Sequence, residues 1–179
     1  MEPKTITISG PPASGTSSTA NKLAEELGFD LVNGGDIFRK MAKERGLTLA
    51  ELTQKSEENP EIDKRLDDRL KDRIVQHATG NSKTGLIAES RLAGWHGSDV
   101  ADLSIYLTAS SSVRLKRAEG RDEESVEEFK ERERSERERY IDFYDVDYTN
   151  EELYDVVINT ETKSKDEVVE KIIAVLTGS

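Results

Sequence analysis

The sequence predicts an α/β fold in which five parallel strands form one sheet covered by helices on both faces. Two observations carry this prediction. Short aliphatic segments alternate with helical segments along almost the whole chain. The first short segment leads directly into a glycine-containing loop and then a helix, the order typical of a parallel α/β unit. The length of 179 residues corresponds to a single domain with room for a substantial core.

The amino-terminal third begins with a strand. Residues 5–9 alternate β-branched and small polar side chains, which predicts a strand, and residues 17–27 carry Ala20, Leu23 and Leu27 at helical spacing. The short apolar segment at residues 30–32 predicts a second strand. The first 32 residues are therefore predicted to contain, in order, a strand, a loop, a helix and a second strand.

Consecutive helical segments interrupt the alternation after the second strand. Residues 36–45 predict a helix that ends at Gly46, and a capping box from Thr48 to Glu51 opens another. A longer helix begins at residues 59–60, with apolar side chains on one face.

The alternation resumes in the second half of the chain. Strands are predicted at residues 86–88, 103–107 and 154–158, and helices at residues 112–119, 123–140 and 164–176. Ligands of such a sheet bind beyond the carboxyl ends of its strands, so the segments that directly follow strands are the candidate site.

The loop after the first strand resembles a phosphate-binding loop without its lysine. Gly10, Gly15 and Ser17 match the pattern Gly, any four residues, Gly-Lys-Ser/Thr, and Thr16 stands in the lysine position. Backbone N–H groups of such a loop and the following helix attract an anion, and the Ser17 hydroxyl is a candidate ligand for Mg²⁺ on a nucleotide. A glycine-rich turn without a ligand is the alternative. We call residues 10–18 the phosphate loop; its members are Gly10, Pro11, Pro12, Ala13, Ser14, Gly15, Thr16, Ser17 and Ser18.

Two arginines follow other strands. Arg39 lies one helical turn after residues 33–36, and Arg91 ends the segment at residues 89–91. A surface arginine is usually a solvated charge, but two that converge on the ligand edge of one sheet suit a phosphate, because guanidinium groups bind it in a bidentate manner.

A helix of alternating charge can supply the missing positive charge. At about 3.6 residues per turn, Arg132 and Arg139 share one face, while Arg134 and Arg137 point to the other. A solvent-exposed helix with internal ion pairs is one interpretation. A lid that closes over the transferred phosphate is the other, and the lysine-free loop favours it.

Composition excludes several classes of function. The chain has no cysteine, which removes disulfides and thiolate chemistry, and its two histidines argue against a histidine-ligated metal. The net charge of −11 argues against nucleic acid as a partner. Without an apolar stretch of membrane-spanning length or a leader at Met1, we expect a cytoplasmic protein with no membrane partner. A monomer is a separate expectation.

Taken in order along the chain, these segments resemble the archaeal type of cytidylate kinase, within the nucleoside monophosphate kinases. The resemblance covers nearly the whole length. Thr16 in the lysine position is itself a mark of that branch. The blocks that carry the resemblance are residues 8–16, 35–39, 42–46, 59–63, 89–95 and 135–144.

The resemblance implies a P-loop kinase fold with a helical insert for the monophosphate near residues 36–78 and a mobile lid near residues 119–142. It implies Mg²⁺-dependent phosphoryl transfer from ATP to CMP or dCMP. The phosphate loop would hold the ATP phosphates, Arg39 and Arg91 the acceptor phosphate, and Arg132 with Arg139 the transferring group. Further acceptor-side candidates are Asp36, Asp63 and Arg69.

Two positions depart from the family pattern. Ala13 and Ser90 both stand where the family usually has glycine, so the backbone must tolerate a Cβ at each. The residues also leave other functions open: a kinase for AMP, UMP or a small metabolite on the same fold, or a nucleotide-binding protein without catalysis.

Overall fold

The computed structural model describes residue 2, residues 4–119 and residues 125–178. Within these residues the strands are β1 (Thr5–Ser9), β2 (Asp30–Asn33), β3 (Leu86–Glu89), β4 (Leu103–Thr108) and β5 (Val156–Asn159). The helices are α1 (Thr16–Leu27), α2 (Gly34–Glu44), α3 (Leu49–Glu58), α4 (Glu61–Thr79), α5 (Ala93–Gly97), α6 (Ser111–Ala118), α7 (Val126–Tyr144) and α8 (Lys165–Thr177). A 3₁₀ turn spans Glu151–Leu153.

The strands form one parallel sheet in the order β2-β3-β1-β4-β5. The central strand β1 places Ile8 opposite Glu89 of β3 and opposite Ile105 of β4. Because all strands run in the same direction, their carboxyl ends share one edge. The phosphate loop after β1, Asn33 at the end of β2 and Glu89 at the end of β3 therefore meet there. The predicted fold class is confirmed.

The alternation in β1 corresponds to the two faces of the sheet. Ile6 and Ile8 are fully buried in the main core, which includes residues of α1 and α8. The small side chains of β1 face the other way: a Cβ on Gly97 of α5 would lie 2.7 Å from Thr7 Cγ2, and Ser9 Oγ accepts a hydrogen bond from the Gly94 N–H at 3.0 Å. Small residues in β1 thus let α5 approach the sheet closely.

Helices α2, α3 and α4 replace the single helix that usually connects two parallel strands. They share a small apolar cluster of their own, built on Met41, Ala42, Leu52 and Ile62. The carboxyl-terminal half of α4 returns to the sheet, where Leu70 and Ile74 pack near Ala88. This arrangement holds α2 and the first half of α4 beyond the ligand edge of the sheet.

Helix α7 differs from the helix predicted at residues 123–140. It begins at Val126, because Ser125 and Glu128 form a capping box, and it continues to Tyr144, where Asp145 adopts a left-handed conformation with φ 54°. The predicted start at residue 123 and residues 120–124 of the predicted lid lie outside the described residues. Helix α5 and the 3₁₀ turn were not predicted.

Candidate active site

Groups from outside the phosphate loop hold its backbone. The carbonyl oxygens of three successive loop residues accept these hydrogen bonds: Arg114 Nη1 donates to Pro12 at 3.1 Å, Arg117 Nη1 to Ala13 at 3.4 Å, and Thr160 Oγ1 to Ser14 at 2.9 Å. In a trans peptide the C=O and N–H groups point in opposite directions, so the N–H groups of Ala13 and Gly15 face away from these donors. A loop fixed in this way is prepared to bind an anion.

Two loop positions have left-handed backbone conformations. Gly15 has φ 98°, which glycine adopts freely, but Ala13 has φ 61° with a side chain attached. The departure at Ala13 noted in the sequence therefore coincides with local backbone strain. Gly10 is required for a different reason, because a Cβ there would lie 2.4 Å from the Leu107 carbonyl oxygen.

Among the cavities that the phosphate loop and the start of α1 border, two are also lined by arginine side chains. The larger, of about 560 Å³, lies among α1, α2, α4, α7 and the segment after β3. Its lining includes Ser17, Arg39, Asp63, Arg91, Arg132 and Arg139. The smaller, of about 210 Å³, is lined by Ala13, Ser14, Gly15, Ser18, Arg117 and Lys163, among others. We call them the large cavity and the small cavity.

Ser17 and Glu89 lie side by side in the large cavity. Ser17 Oγ donates a hydrogen bond to Glu89 Oε2 at 3.3 Å, and Glu89 is only 5% exposed. Hydroxyl and carboxylate oxygens are hard ligands that suit Mg²⁺, which usually takes one or two protein groups together with substrate phosphates. Among the described residues no group of three or more His, Cys, Asp or Glu side chains is arranged to hold a metal. The pair therefore fits a magnesium ion carried on a nucleotide.

One carboxylate of α7 lies between two arginines. Arg91 Nε donates to Glu136 Oε2 at 3.2 Å, and Arg132 Nη1 lies 3.7 Å from Glu136 Oε1. Arg91 Nη1 also donates to the Gly10 carbonyl oxygen at 3.4 Å, so this guanidinium contacts the phosphate loop. Two guanidinium groups directed at one carboxylate are suited to a phosphate at the same place.

Arg39 is positioned by the beginning of its own helix. Asn33 caps α2 by accepting a hydrogen bond from the Asp36 N–H at 2.7 Å, and Asp36 accepts another from Arg39. The hydrogen bond from Arg39 holds the pKa of Asp36 below its usual value. Asp36 is not among the residues that line the large cavity. Asp36 orients Arg39, whereas Arg39 itself faces the cavity.

Asp63 and Arg139 form the end of the large cavity farthest along α7. Arg139 Nε lies 3.3 Å from Asp63 Oδ2. Burial raises the pKa of Asp63 to about 6, even though the charge of Arg139 opposes that shift. Arg139 is seven residues after Arg132, about 10 Å along the helix axis, so the two do not converge through the helix alone.

Arg69 does not face the large cavity. It pairs with Glu44 at 2.9 Å, and both side chains are close to half exposed. Around α4, residue 69 lies about 120° from Asp63 and about 160° from Asp67, the two carboxylates of this helix that line the cavity, so it borders that face only on the side of Leu66. The assignment of Arg69 to the acceptor side finds no support here.

Helix α7 covers the large cavity, and ion pairs connect it to three other parts of the chain. The pairs are Arg114–Glu133 at 2.7 Å, Arg91–Glu136 at 3.2 Å and Asp63–Arg139 at 3.3 Å. The other arginines of α7 face outward: Arg134 pairs with Glu131 and Glu138, and Arg137 pairs with Asp147. The arginines thus lie on opposite faces, as their spacing predicts.

Three carboxylates that line the large cavity, Asp67, Glu89 and Glu136, were not assigned a role in the sequence analysis. Glu89 belongs to a segment that was noted only for Arg91, and Glu136 was one of several acids in a charged helix. Glu89 could have been found from its place at the end of a strand next to β1. No signal separates Glu136 from its acidic neighbours before the faces of α7 are known.

The chain is similar to a known protein family over most of its length. The model of the cytidylate kinase-like family matches residues 5–162. A protein named cytidylate kinase from Halobacterium salinarum is 40% identical over 172 residues, covering 94% of this chain and 86% of the relative. Another of that name, from Archaeoglobus fulgidus, is also 40% identical over 172 residues, with coverages of 94% and 92%.

Solved structures share the fold at low sequence identity. Shikimate kinase from Acinetobacter baumannii, in complex with shikimate, aligns with a TM-score of 0.67 at 15% identity, covering 98% of this chain and 94% of that one. A gluconokinase from Sinorhizobium meliloti gives 0.63 at 14% identity, with coverages of 98% and 92%. These similarities support an α/β kinase fold. No helix in the described part of the chain combines the length and apolarity needed to cross a membrane.

Proposed function

The chain belongs to the cytidylate kinase-like family, and we propose that it transfers the γ-phosphoryl group of ATP to CMP or dCMP, giving CDP or dCDP and ADP. The observation that carries this proposal is the large cavity. There, a phosphate loop with a candidate magnesium pair adjoins arginines from three other segments. A protein that only bound nucleotide would not need this second set of cationic groups.

We assign the acceptor phosphate to Arg39 and Arg91. Glu136 now pairs with Arg91 and approaches Arg132, so a carboxylate occupies the position where a phosphate would be attracted. The acceptor phosphate carries more negative charge than a carboxylate and competes for the same guanidinium groups.

The donor phosphates fit the phosphate loop. Its backbone N–H groups and the amino-terminal end of α1 offer partial positive charge, and the small cavity, with Arg117 and Lys163, lies on the far side of the loop. Ser17 and Glu89 would hold Mg²⁺, which when bound neutralises charge on the nucleotide phosphates.

Phosphoryl transfer needs position and charge more than proton transfer. An oxygen of the acceptor phosphate forms a bond to the γ-phosphorus while the bond to the bridging oxygen breaks, and the electron pair leaves with ADP. The attacking oxygen is already deprotonated, so no general base is required. Arg132 and Arg91 supply the positive charge that Thr16 does not.

Helix α7 would also exclude water, which competes as an acceptor. We propose that α7 moves as a lid, since the ion pair between Arg91 and Glu136, which connects α7 to the segment after β3, is one that a substrate phosphate can replace. We further propose that the enzyme works as a monomer, because one chain supplies the lining of both cavities. Light scattering tests the oligomeric state. The cytoplasmic location stays a prediction.

The proposed function is tested by nucleoside diphosphate production from ATP and Mg²⁺, with CMP, dCMP, UMP, AMP and GMP offered separately. Turnover of CMP and dCMP well above the others supports the proposal. A preference for another monophosphate would keep the reaction class and overturn the acceptor. Binding of ATP without turnover of any of the five would favour a small-metabolite kinase or a binder without catalysis.

A further inference from the structure

Two charged atoms at the far end of the large cavity lack hydrogen-bond partners. Asp63 Oδ2 and Arg139 Nε are both buried and face each other as an ion pair 3.3 Å apart, but their orientation does not give a hydrogen bond, and neither atom has another hydrogen-bond partner. Buried polar atoms are usually satisfied, so an unsatisfied acceptor beside an unsatisfied donor in a cavity points to a ligand that supplies both partners.

The surroundings of this pair suit a flat ring. Phe38, Leu66 and Tyr140 contribute apolar and aromatic surface to the same cavity. The phosphate-directed arginines lie toward the other end, because Arg132 precedes Arg139 by about 10 Å along α7. If the phosphate of a nucleoside monophosphate lies near Arg91 and Arg132, its base extends toward Asp63 and Arg139.

Cytosine and uracil differ in the order of groups along one edge. Cytosine presents an amino donor beside a ring-nitrogen acceptor, whereas uracil presents a carbonyl acceptor beside an N–H donor. An ionised carboxylate can only accept and a guanidinium can only donate. An acceptor next to a donor therefore matches cytosine, while uracil in the same orientation would place acceptor against acceptor and donor against donor.

We propose that Asp63 and Arg139 together select the base of the acceptor: Asp63 accepts a hydrogen bond from the exocyclic amine, and Arg139 donates one to the adjacent ring nitrogen. The proposal rests on the proposed function, because it concerns the acceptor of that reaction. It gives Arg139 a role in base selection in place of contact with the transferring group. The pair distinguishes bases with an amino group from bases with a carbonyl group at this edge. Adenine also presents an amino group beside a ring nitrogen, so adenine would be excluded by the size of the cavity instead.

The test is the ratio of kcat/KM for CMP to kcat/KM for UMP in Asp63→Asn. The amide of asparagine can donate or accept, so the variant tolerates either edge. We expect the ratio to fall at least about tenfold, since a site built to hydrogen-bond a substrate group discriminates strongly against an analogue that lacks it. A loss of both activities by the same factor would show a structural role only and would overturn the proposal.

A second variant keeps the test decisive if Asp63→Asn fails to fold. Arg139→Gln also replaces a fixed donor with an amide of either polarity and should lower the same ratio. Arg137→Gln is the matched control, because Arg137 lies on the outer face of α7 and pairs with Asp147. It should leave the ratio unchanged, and an equal shift in this control would contradict the assignment.

Failure of this inference and failure of the proposed function give different results. If the wild-type protein does not phosphorylate CMP, the proposed function is wrong and the assignment of the base falls with it. If the wild-type protein prefers CMP and both cavity variants keep that preference, the function stands and the assignment to Asp63 and Arg139 is wrong.

Discussion

Ala13 shows how a single residue can conflict with its backbone. A left-handed conformation costs an L-residue about 1–2 kcal/mol, and glycine avoids that cost but loses more entropy on folding, about 0.5–1 kcal/mol. We therefore expect Ala13→Gly to raise the free energy of unfolding by up to about 1 kcal/mol in urea denaturation. The control is Ala24→Gly in α1, which should destabilise the protein. Equal destabilisation by both substitutions would contradict the strain argument.

Arg132 is the residue whose loss tests the lysine-free mechanism most directly. Arg132→Ala should lower kcat by about 10²–10³-fold and change the KM for CMP much less, because developing charge in the transition state loses its partner. Steady-state kinetics with varied CMP give both constants. Arg134→Ala, on the outer face of the same helix, should change neither appreciably. An unchanged kcat in Arg132→Ala would remove this residue from the catalytic set.

Glu89 is expected to act through magnesium. Glu89→Gln keeps the size of the side chain but weakens a hard anionic ligand, so we expect the Mg²⁺ concentration for half-maximal activity to rise by about 10–100-fold. Activity at fixed nucleotide and varied Mg²⁺ measures this. Glu138→Gln, an exposed change on α7, is the control. A lower kcat with the same magnesium requirement would argue for a role other than metal binding.

At the residue scale, the sequence predicted which charged residues belong to the site better than it predicted the direction of their side chains. Spacing placed Arg132 and Arg139 on one face because a helix repeats regularly. The same approach could not show that Arg69 pairs with Glu44 outside the large cavity, because the direction of Arg69 depends on how α4 is rotated against its neighbours. Glu89 and Glu136 acquire meaning only from the partners that tertiary structure brings to them.

At the scale of elements, the strands and the long helices were predicted, whereas α5 and the 3₁₀ turn were not. Helix α5 spans Ala93–Gly97 and contains glycines at 94 and 97, which disfavour a helix in isolation. Both are needed for close packing: a Cβ on Gly94 would lie 2.4 Å from the Tyr154 ring, and one on Gly97 would lie 2.7 Å from Thr7 Cγ2. The signal that specifies this helix is a tertiary contact, which one sequence does not display.

Helix capping gives a prediction that compares α8 with α7. Ser164 caps α8, whose Val168, Val169 and Ile172 are buried in the main core, so Ser164→Ala should lower the global free energy of unfolding by about 1 kcal/mol. Ser125 caps α7 in the same way, but Phe129 is the one fully buried residue of α7, and the partly buried Tyr140 and Tyr144 pack at its other end, so the turn that Ser125 caps can open locally. Ser125→Ala should therefore cost less in urea denaturation. Equal costs would indicate that α7 unfolds together with the core.

For the whole molecule, the alternation of elements predicted the fold class, but it did not predict which side chains meet in the site. The arginines that we propose in place of the loop lysine come from α2, from the segment after β3 and from α7, which are distant in sequence. Their convergence depends on the strand order β2-β3-β1-β4-β5, which places the ends of β2 and β3 beside the phosphate loop. A sequence contains the residues of such a site but not their separations.

The stability of the whole protein should pass through a maximum on the acidic side of neutrality. The pKa of Asp63 is raised to about 6 by burial, with Asp67 and Glu136 adding to the rise and Arg139 opposing it, against 3.8 for the free side chain. Between these values the folded state holds a proton that the unfolded state has lost, so stability falls as pH rises through that window, by at most about 3 kcal/mol. The net charge of −11 acts in the same direction, because repulsion weakens as carboxylates are protonated.

Below the maximum, stability rises with pH instead of falling. The hydrogen bond from Arg137 lowers the pKa of Asp147 to about 2. The contribution of Asp147 to stability is therefore complete above about pH 4 and is lost as the pH falls from about 4 to about 2. Urea denaturation across a pH series should therefore give a maximum at about pH 4, where the gain from Asp147 is complete and the loss from Asp63 begins. Asp63→Asn should flatten the limb above the maximum, and Asp147→Asn the limb below it. A wild-type profile that rises steadily to pH 8 would mean that Asp63 is ionised in the folded protein throughout, with Arg139 outweighing its burial.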